Sequence, residues 1–243
     1  ISCMKLFKGV KYDQTVKIND SISFNLKDAG HMLGSSIIEL YIKEDDVEYK
    51  IVLSGDLGNR NIPILKDPAV IDGCDYLFIE STYGNRLHEG TEDKSKRLIN
   101  IMLETIKNNG KVIIPSFAVG RTQEILFEIA KEIYSGSDKA KELLKTEIFV
   151  DSPLATSASE IYKKHIEQFD QESYEYIKKG IYPLEFKNLK FIKSADESKQ
   201  LNDYDRPCII ISSSGMCEAG RIKHHLKHNL WKENNTILFV GYQ

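Results

Sequence analysis

The sequence contains no C-x-x-C pair. Its four cysteines, Cys3, Cys74, Cys208 and Cys217, are scattered, which excludes a zinc ribbon and gives no disulfide framework. That pattern favours a reducing, cytoplasmic setting. Cys74, Cys208 and Cys217 lie in or beside apolar runs and read as small core residues. No uninterrupted apolar run reaches the roughly 18 residues of a membrane-spanning helix, so no membrane partner is expected. The opening residues ISCMKLFKG are too short and too polar to read as a secretory signal. Basic charge is not in excess either: 33 Lys and Arg stand against 36 Asp and Glu, a net charge of −3. This excludes a protein that coats nucleic acid by bulk charge, but not one that holds a few phosphates in a shaped groove. Internal repeats and low-complexity tracts are absent.

What is present divides into two regions. A chain of 243 residues can form one large domain or two ordinary ones. Val16–Ile18 and Ser21–Leu26 flank the turn signal Asn19-Asp20 and predict a hairpin. Ser36–Lys43 and Val47–Ser54 flank Glu44-Asp45-Asp46; here Ile38, Leu40 and Ile42 alternate with Glu39, Tyr41 and Lys43, predicting one buried face. After Gly84 the pattern becomes strand, polar loop, helix, repeated, which predicts a parallel sheet flanked by helices. The helix Lys94–Ile106 is expected to end at Asn108-Asn109-Gly110 with the glycine just past its end. Strands are predicted at Lys111–Ile114, Glu147–Val150, Leu189–Ile192, Cys208–Ile211 and Thr236–Val240. Helices are predicted from about Ser157 and over Glu218–Leu230.

The candidate chemistry sits at strand ends. Ile51–Leu53 runs into Ser-Gly-Asp56-Leu-Gly, and Tyr76–Ile79 into Glu80-Ser-Thr. A carboxylate at the end of a buried strand is costly without a partner, and with His31 in the loop AGHMLGS the two carboxylates suggest a cation. Each also has a plainer reading, with His31 structural, Asp56 a turn aspartate, and Glu80 a cap or an orienting group. In the second region the strand ends carry Ser116–Arg121, Asp151–Thr156, Ser194–Ser198 and Ser212–Met216, each before a helix. Helix N-termini hold anions and Arg121 can grip a phosphate; singly, each loop also reads as an ordinary helix cap. His225 flanks the Ile222, Leu226, Leu230 stripe, which could aim it at the same edge. His224 and His228 have zinc-compatible spacing but read as solvated surface.

The strings AGHMLGS, SGDLG, FIESTYG, PSFAVGRTQE, VDSPLA, SSSGM and GRIKHHL occur in order, and with them the chain resembles the β-CASP family of metallo-β-lactamase-fold nucleases, in its RNA-processing branch. The resemblance implies an α/β fold: a partial metallo-β-lactamase (αββα) domain over residues 1–84 and a β-CASP domain over 85–243, incomplete at its C-terminal end. It implies that His31 and Asp56 are zinc ligands, with Asp56 bridging two zinc ions, and that Asp56 and Glu80 serve catalysis. It implies that Ser116, Arg121, Ser213, Gly215 and His225 face the phosphates of single-stranded RNA. A homodimer is compatible with it.

The family's main ligand motif, H-x-H-x-D-H, does not occur, and its later histidine motifs lie beyond a GYQ segment that here is Gly241–Gln243. With two protein ligands the chain falls short of a catalytic zinc site. The expectation is therefore a segment of a two-zinc ribonuclease, itself inactive and binding zinc weakly or not at all. The alternatives are a non-catalytic RNA- or protein-binding scaffold, a DNA-acting member, and a small-substrate hydrolase, which the cap disfavours.

Overall fold

The structure is a computed structural model that describes residues 2–85 and 94–241. His88 and the end of the GYQ segment lie outside the described residues. The chain divides into two compact units, residues 1–87 and 88–243.

The first unit is a five-stranded sheet in the order β1 (Val16–Lys17), β2 (Ile22–Asp28), β3 (Ser36–Glu44), β4 (Val47–Leu53) and β5 (Tyr76–Phe78). The pairs from β1 to β4 are antiparallel, and β5 runs parallel to β4. Asn19 makes the first turn by accepting the N–H groups of Ser21 at 2.9 Å and Ile22 at 2.8 Å through Oδ1, the local bond that makes asparagine a turn residue. The buried face of β3 is not the expected one. Ile37 and Glu39 are inside, while Ile38 is 37% exposed. Isoleucine stands on both faces here, so alternation alone cannot choose between them. Ile37 packs with Ala29 and Val52, and Leu57 and Ile71 lie against that cluster. Glu39 can share this face because Lys50 Nζ meets its carboxylate at 2.7 Å. A second correction concerns β5: all three of its residues are exposed, so Glu80 does not follow a buried strand.

The second unit is a five-stranded sheet in the order β10-β6-β9-β7-β8, with every pair parallel. The strands are β6 (Lys111–Pro115), β7 (Glu147–Asp151), β8 (Leu189–Phe191), β9 (Cys208–Ser212) and β10 (Thr236–Ile237). Its helices are α1 (Lys94–Lys107), α2 (Arg121–Tyr134), α3 (Asp138–Lys145), α4 (Pro153–Lys164), α5 (Gln171–Lys178), α6 (Ala195–Gln200) and α7 (Ile222–Asn229). The central strands are continuous apolar runs because helices cover the sheet: Val112, Ile113, Ile114, Ile148, Val150, Ile209, Ile210 and Ile211 are all fully buried. Each such side chain contributes about 1.5–3 kcal/mol of burial.

Four boundaries differ from expectation, and one of them is the last strand, β10, which ends at Ile237 rather than Val240. Helix α4 starts at Pro153, whose ring suits a first helical position, with Ser152 Oγ accepting the Ala155 N–H as the cap. Helix α7 starts only at Ile222 because Ser213–Gly220 folds back on itself, the Ile222 N–H donating to the Ser213 carbonyl at 3.1 Å. The left-handed residue after α1 is Asn109, φ 56°, rather than Gly110. Of the cysteines, only Cys208 is buried; Cys217 is half-buried and Cys74 is exposed, not a core residue. Among the described residues no helix is long and apolar enough to cross a membrane.

Candidate active site

Strand direction alone brings His31, Asp56 and Glu80 to one edge of the first sheet. The register pairs Asp28 with Ser36 and Ile38 with Leu53, so the β2–β3 loop carrying His31 lies at the end where β4 finishes. Because β5 is parallel to β4, Glu80 leaves at that same end, as Asp56 does. The loops are in contact. The Gly58 N–H donates to the Ala29 carbonyl at 2.9 Å, and a Cβ on Gly58 would lie 1.8 Å from the Gly30 carbonyl oxygen. Only glycine permits this approach.

Glu80 holds the loop that carries Asp56. Its Oε1 accepts the Leu57 N–H at 2.9 Å and its Oε2 the Thr82 N–H at 3.2 Å, while its own N–H donates to Ser54 Oγ at 3.1 Å. The Thr82 side chain, then these backbone N–H groups and the field of His31, hold its carboxyl below the usual range. An ionised carboxylate engaged in this way fixes the loop after Asp56. Asp56 is exposed and His31 half-buried.

The second unit's edge is formed by Pro115, Ser212 and Asp151, which stand side by side in register at the ends of β6, β9 and β7. The loops that follow interlock. The Ser116 N–H donates to the Ser212 carbonyl at 3.0 Å, Thr122 Oγ1 donates to Ser116 Oγ at 3.0 Å, and Ser213 Oγ donates to Ser152 Oγ at 3.0 Å. A Cβ on Gly215 would come within 2.9 Å of the Phe117 ring, so a glycine lets the two loops pack together.

Only part of the expected phosphate-facing set is open. Arg121, its side chain 44% exposed, begins α2 and pairs with Glu124 at 2.5 Å. The residue before it, Gly120, supplies no side-chain cap; of the first-turn N–H groups, the kind that bind anions, that of Thr122 already donates to the Phe117 carbonyl at 3.3 Å. Ser213 is half-buried. Ser116, Gly215 and His225, also expected to face phosphates, are buried and brace the edge from within.

His225 is fully buried because Asp151 gives it a partner. Asp151, itself fully buried, accepts from three side chains and thereby ties α6 and α7 to β7. Ser198 Oγ reaches Oδ2 at 2.5 Å, His225 Nε2 reaches Oδ2 at 2.6 Å, and Arg221 Nη1 reaches Oδ1 at 2.7 Å. Arg221 also donates to the carbonyls of Ile192 at 3.3 Å and Lys193 at 3.2 Å. Burial pushes the Asp151 carboxyl up, but these hydrogen bonds outweigh it and hold it below the usual range. The sequence points to Asp151 only as part of a strand-end loop read as an anion site or a helix cap, and to Arg221 only within GRIKHHL and by its distance from His225. The one local signal is the four-residue spacing of Arg221 and His225, which puts both on one side of a helix.

Among the described residues, no three His, Cys, Asp or Glu side chains gather to hold a metal ion. A catalytic zinc takes three protein ligands and an open position. His31 and Asp56 therefore do not by themselves fit a catalytic metal centre.

Comparison with known proteins places these features in a family. The Beta-Casp domain matches residues 122–243. The chain is 32% identical to Ribonuclease TTHA0252 of Thermus thermophilus, over 97% of this chain and 52% of that protein. It is 36% identical to an RNase J-like protein of Methanocaldococcus jannaschii, over 99% of this chain and 53% of the relative. It is 32% identical to Transcription termination factor FttA of the same organism, over all of this chain and 37% of that protein. The chain thus spans about half the length, or less, of these curated relatives.

Proposed function

Because the chain belongs to the β-CASP family of metallo-β-lactamase nucleases, we propose that the protein carrying it is a metal-dependent ribonuclease that hydrolyses phosphodiester bonds of single-stranded RNA. In this reading residues 1–84 are part of the metallo-β-lactamase domain and 85–243 belong to the β-CASP domain. The observation that carries it is the Glu80 carboxylate fixing the Asp56 loop beside His31 at one edge of the sheet. The metal is zinc, and further ligands join His31 and Asp56 to hold it. Arg121, Ser213 and the Arg121 N–H at the start of α2 bind substrate phosphates. The phosphates are contacted through charge-assisted hydrogen bonds, while Asp151, Arg221 and His225 keep the loops at their spacing. The compartment is the cytoplasm, a reading supported by four free thiols.

A second reading, a non-catalytic RNA-binding scaffold, is favoured by the second unit's edge, which Asp151, Arg221 and His225 brace from within the protein and without a metal. The experiment is cleavage of matched RNA and DNA oligonucleotides by the full-length protein, beside Asp56→Ala. RNA cleavage that disappears in Asp56→Ala supports the ribonuclease. Cleavage that survives the substitution removes Asp56 from the site, cleavage of DNA alone reassigns the substrate, and RNA binding without cleavage selects the scaffold.

A further inference from the structure

The surface of α7 carries a pattern that folding accounts for only in part and the edge described above does not use. Lys223, His224, Lys227 and His228 are all exposed and recur at four-residue spacing, so they line one outward face. The ion pairs of this helix region are those of Arg221 and His225 with Asp151. Among the described residues none involves Lys223, His224, Lys227 or His228.

Cations in the last turn of a helix are favoured by its dipole, which accounts for Lys227 and His228. The same dipole disfavours cations in the first turn, yet Lys223 stands there with no acidic residue beside it. Immediately after the helix, Trp231 is 73% exposed, an unfavourable placement for the largest apolar side chain. Lys232 Nζ lies 5.4 Å from its ring centre. The flanking acids, Glu218 and Glu233, are in loops outside the helix.

We propose that this face of α7, with Trp231, is a binding surface for single-stranded RNA that extends the phosphate-binding edge of the same unit. The helix leaves that edge at Arg221, and its eight residues cover about 12 Å. Lys223 and Lys227 stand about 6 Å apart along it, matching successive phosphates of an extended strand. Trp231 then offers a ring on which a base stacks, the combination of basic track and aromatic platform that binds single strands. Charge complementarity selects the partner: a locally basic face on a chain of net charge −3 fits a polyanion. The inference deepens the RNA reading above and rests on it, but needs no catalysis.

Trp231 is the sole tryptophan of the chain, so its emission reports this site alone. The 243-residue chain is titrated with fluorescein-labelled oligouridylate in EDTA, reading anisotropy and tryptophan emission together. Binding should quench the emission. Trp231→Ala should weaken binding about ten-fold or more. The double substitution Lys223→Ala, Lys227→Ala should lower the slope of log K against log salt by about 1.4, or roughly 0.7 for each phosphate no longer neutralised. Binding with unchanged emission and an unchanged slope overturns the inference, and so does no binding at all. Quenching by polyglutamate but not by RNA also overturns it and makes the face a protein-docking surface. An Arg121→Ala arm separates the two readings: loss of binding there, with the α7 variants unaffected, keeps the RNA edge and removes α7 from the RNA path.

Discussion

Asp151→Asn removes one charge and changes almost no volume, so it isolates what the buried carboxylate contributes. The two Asp151 oxygens accept from Ser198, His225 and Arg221 at 2.5–2.7 Å. Asparagine keeps one acceptor and turns a donor toward at least one of those three donors. The Arg221 side chain, 21% exposed, is left without its counter-charge. Breaking a buried pair by removing one partner costs about 3–5 kcal/mol. For a unit of this size about 1 kcal/mol shifts the melting temperature by roughly 2–4 °C, so the midpoint should fall by about 6–20 °C. The pH dependence gives an independent check. A carboxyl whose folded pKa lies below its unfolded value binds fewer protons when folded. It contributes stability above the unfolded value of about 3.9, and that contribution is lost as pH falls through the folded value. The wild-type midpoint should therefore drop toward that of Asp151→Asn as the pH falls below about 4. The assay is thermal unfolding followed by circular dichroism from about pH 3 to about pH 7, a range that brackets the unfolded value. A variant that melts within about 1 °C of wild type at about pH 7, against the roughly 6 °C minimum worked above, refutes the assignment of Asp151 as the tie between β7, α6 and α7.

Three further outcomes are expected. Gly58→Ala places a methyl 1.8 Å from the Gly30 carbonyl oxygen; forcing the loops apart should cost about 1–3 kcal/mol in urea unfolding and abolish RNA cleavage by the full-length protein. Glu80→Gln leaves one of the Leu57 and Thr82 N–H groups facing an amide NH₂, costing about 1–3 kcal/mol; cleavage should fall with the far-ultraviolet spectrum unchanged, and full activity would show that the loop needs no carboxylate. Lys111 is buried at 6% exposure, with Nζ donating to the Leu201 carbonyl at 3.1 Å, and burial pushes its pKa down. The folded state then binds fewer protons than the unfolded, so wild-type stability should rise with pH between the lowered value and about 10.4. Lys111→Met should melt at or above wild type at neutral pH and lack that rise.

Reading the sequence succeeded where burial is two-sided and failed where a choice of face depends on distant partners. The runs around Ile113, Ile148 and Ile210 are apolar throughout because both sides of the parallel sheet are covered, so strand and core are written in a few consecutive residues. β3 is different: Ile37 and Ile38 are both isoleucine, and the choice of Ile37 is made by Ala29, Val52 and the Lys50–Glu39 pair, none of them local. The same holds for α7. Ile222, Leu226 and Leu230 suggest its inner stripe, yet Leu230 is 70% exposed, while His225 and Asn229 are buried. An imidazole goes inside only because a carboxylate waits at the end of β7. The partners of Asp151 lie 47, 70 and 74 residues away in sequence, beyond the reach of any spacing rule.

This difference also explains how the candidate site divides. His31, Asp56 and Glu80 were legible as a set because each ends a strand or fills a tight loop, and strand direction alone then collects them at one edge. The edge of the second sheet was legible as a place, since a parallel sheet exposes helix N-termini at the carboxyl ends of its strands, but which of its side chains stay exposed was not. Ser116, Gly215 and His225 have the polar or small character of ligand-binding residues, yet each meets the structural demands of loops that must interlock. Among the side chains left facing outward, Arg121 at the edge has its pair in Glu124, while Lys223 and Trp231 along α7 are those for which burial and pairing offer the least reason to be where they are. The proposed binding role would join the edge and the helix face in one track whose parts respond separately to substitution.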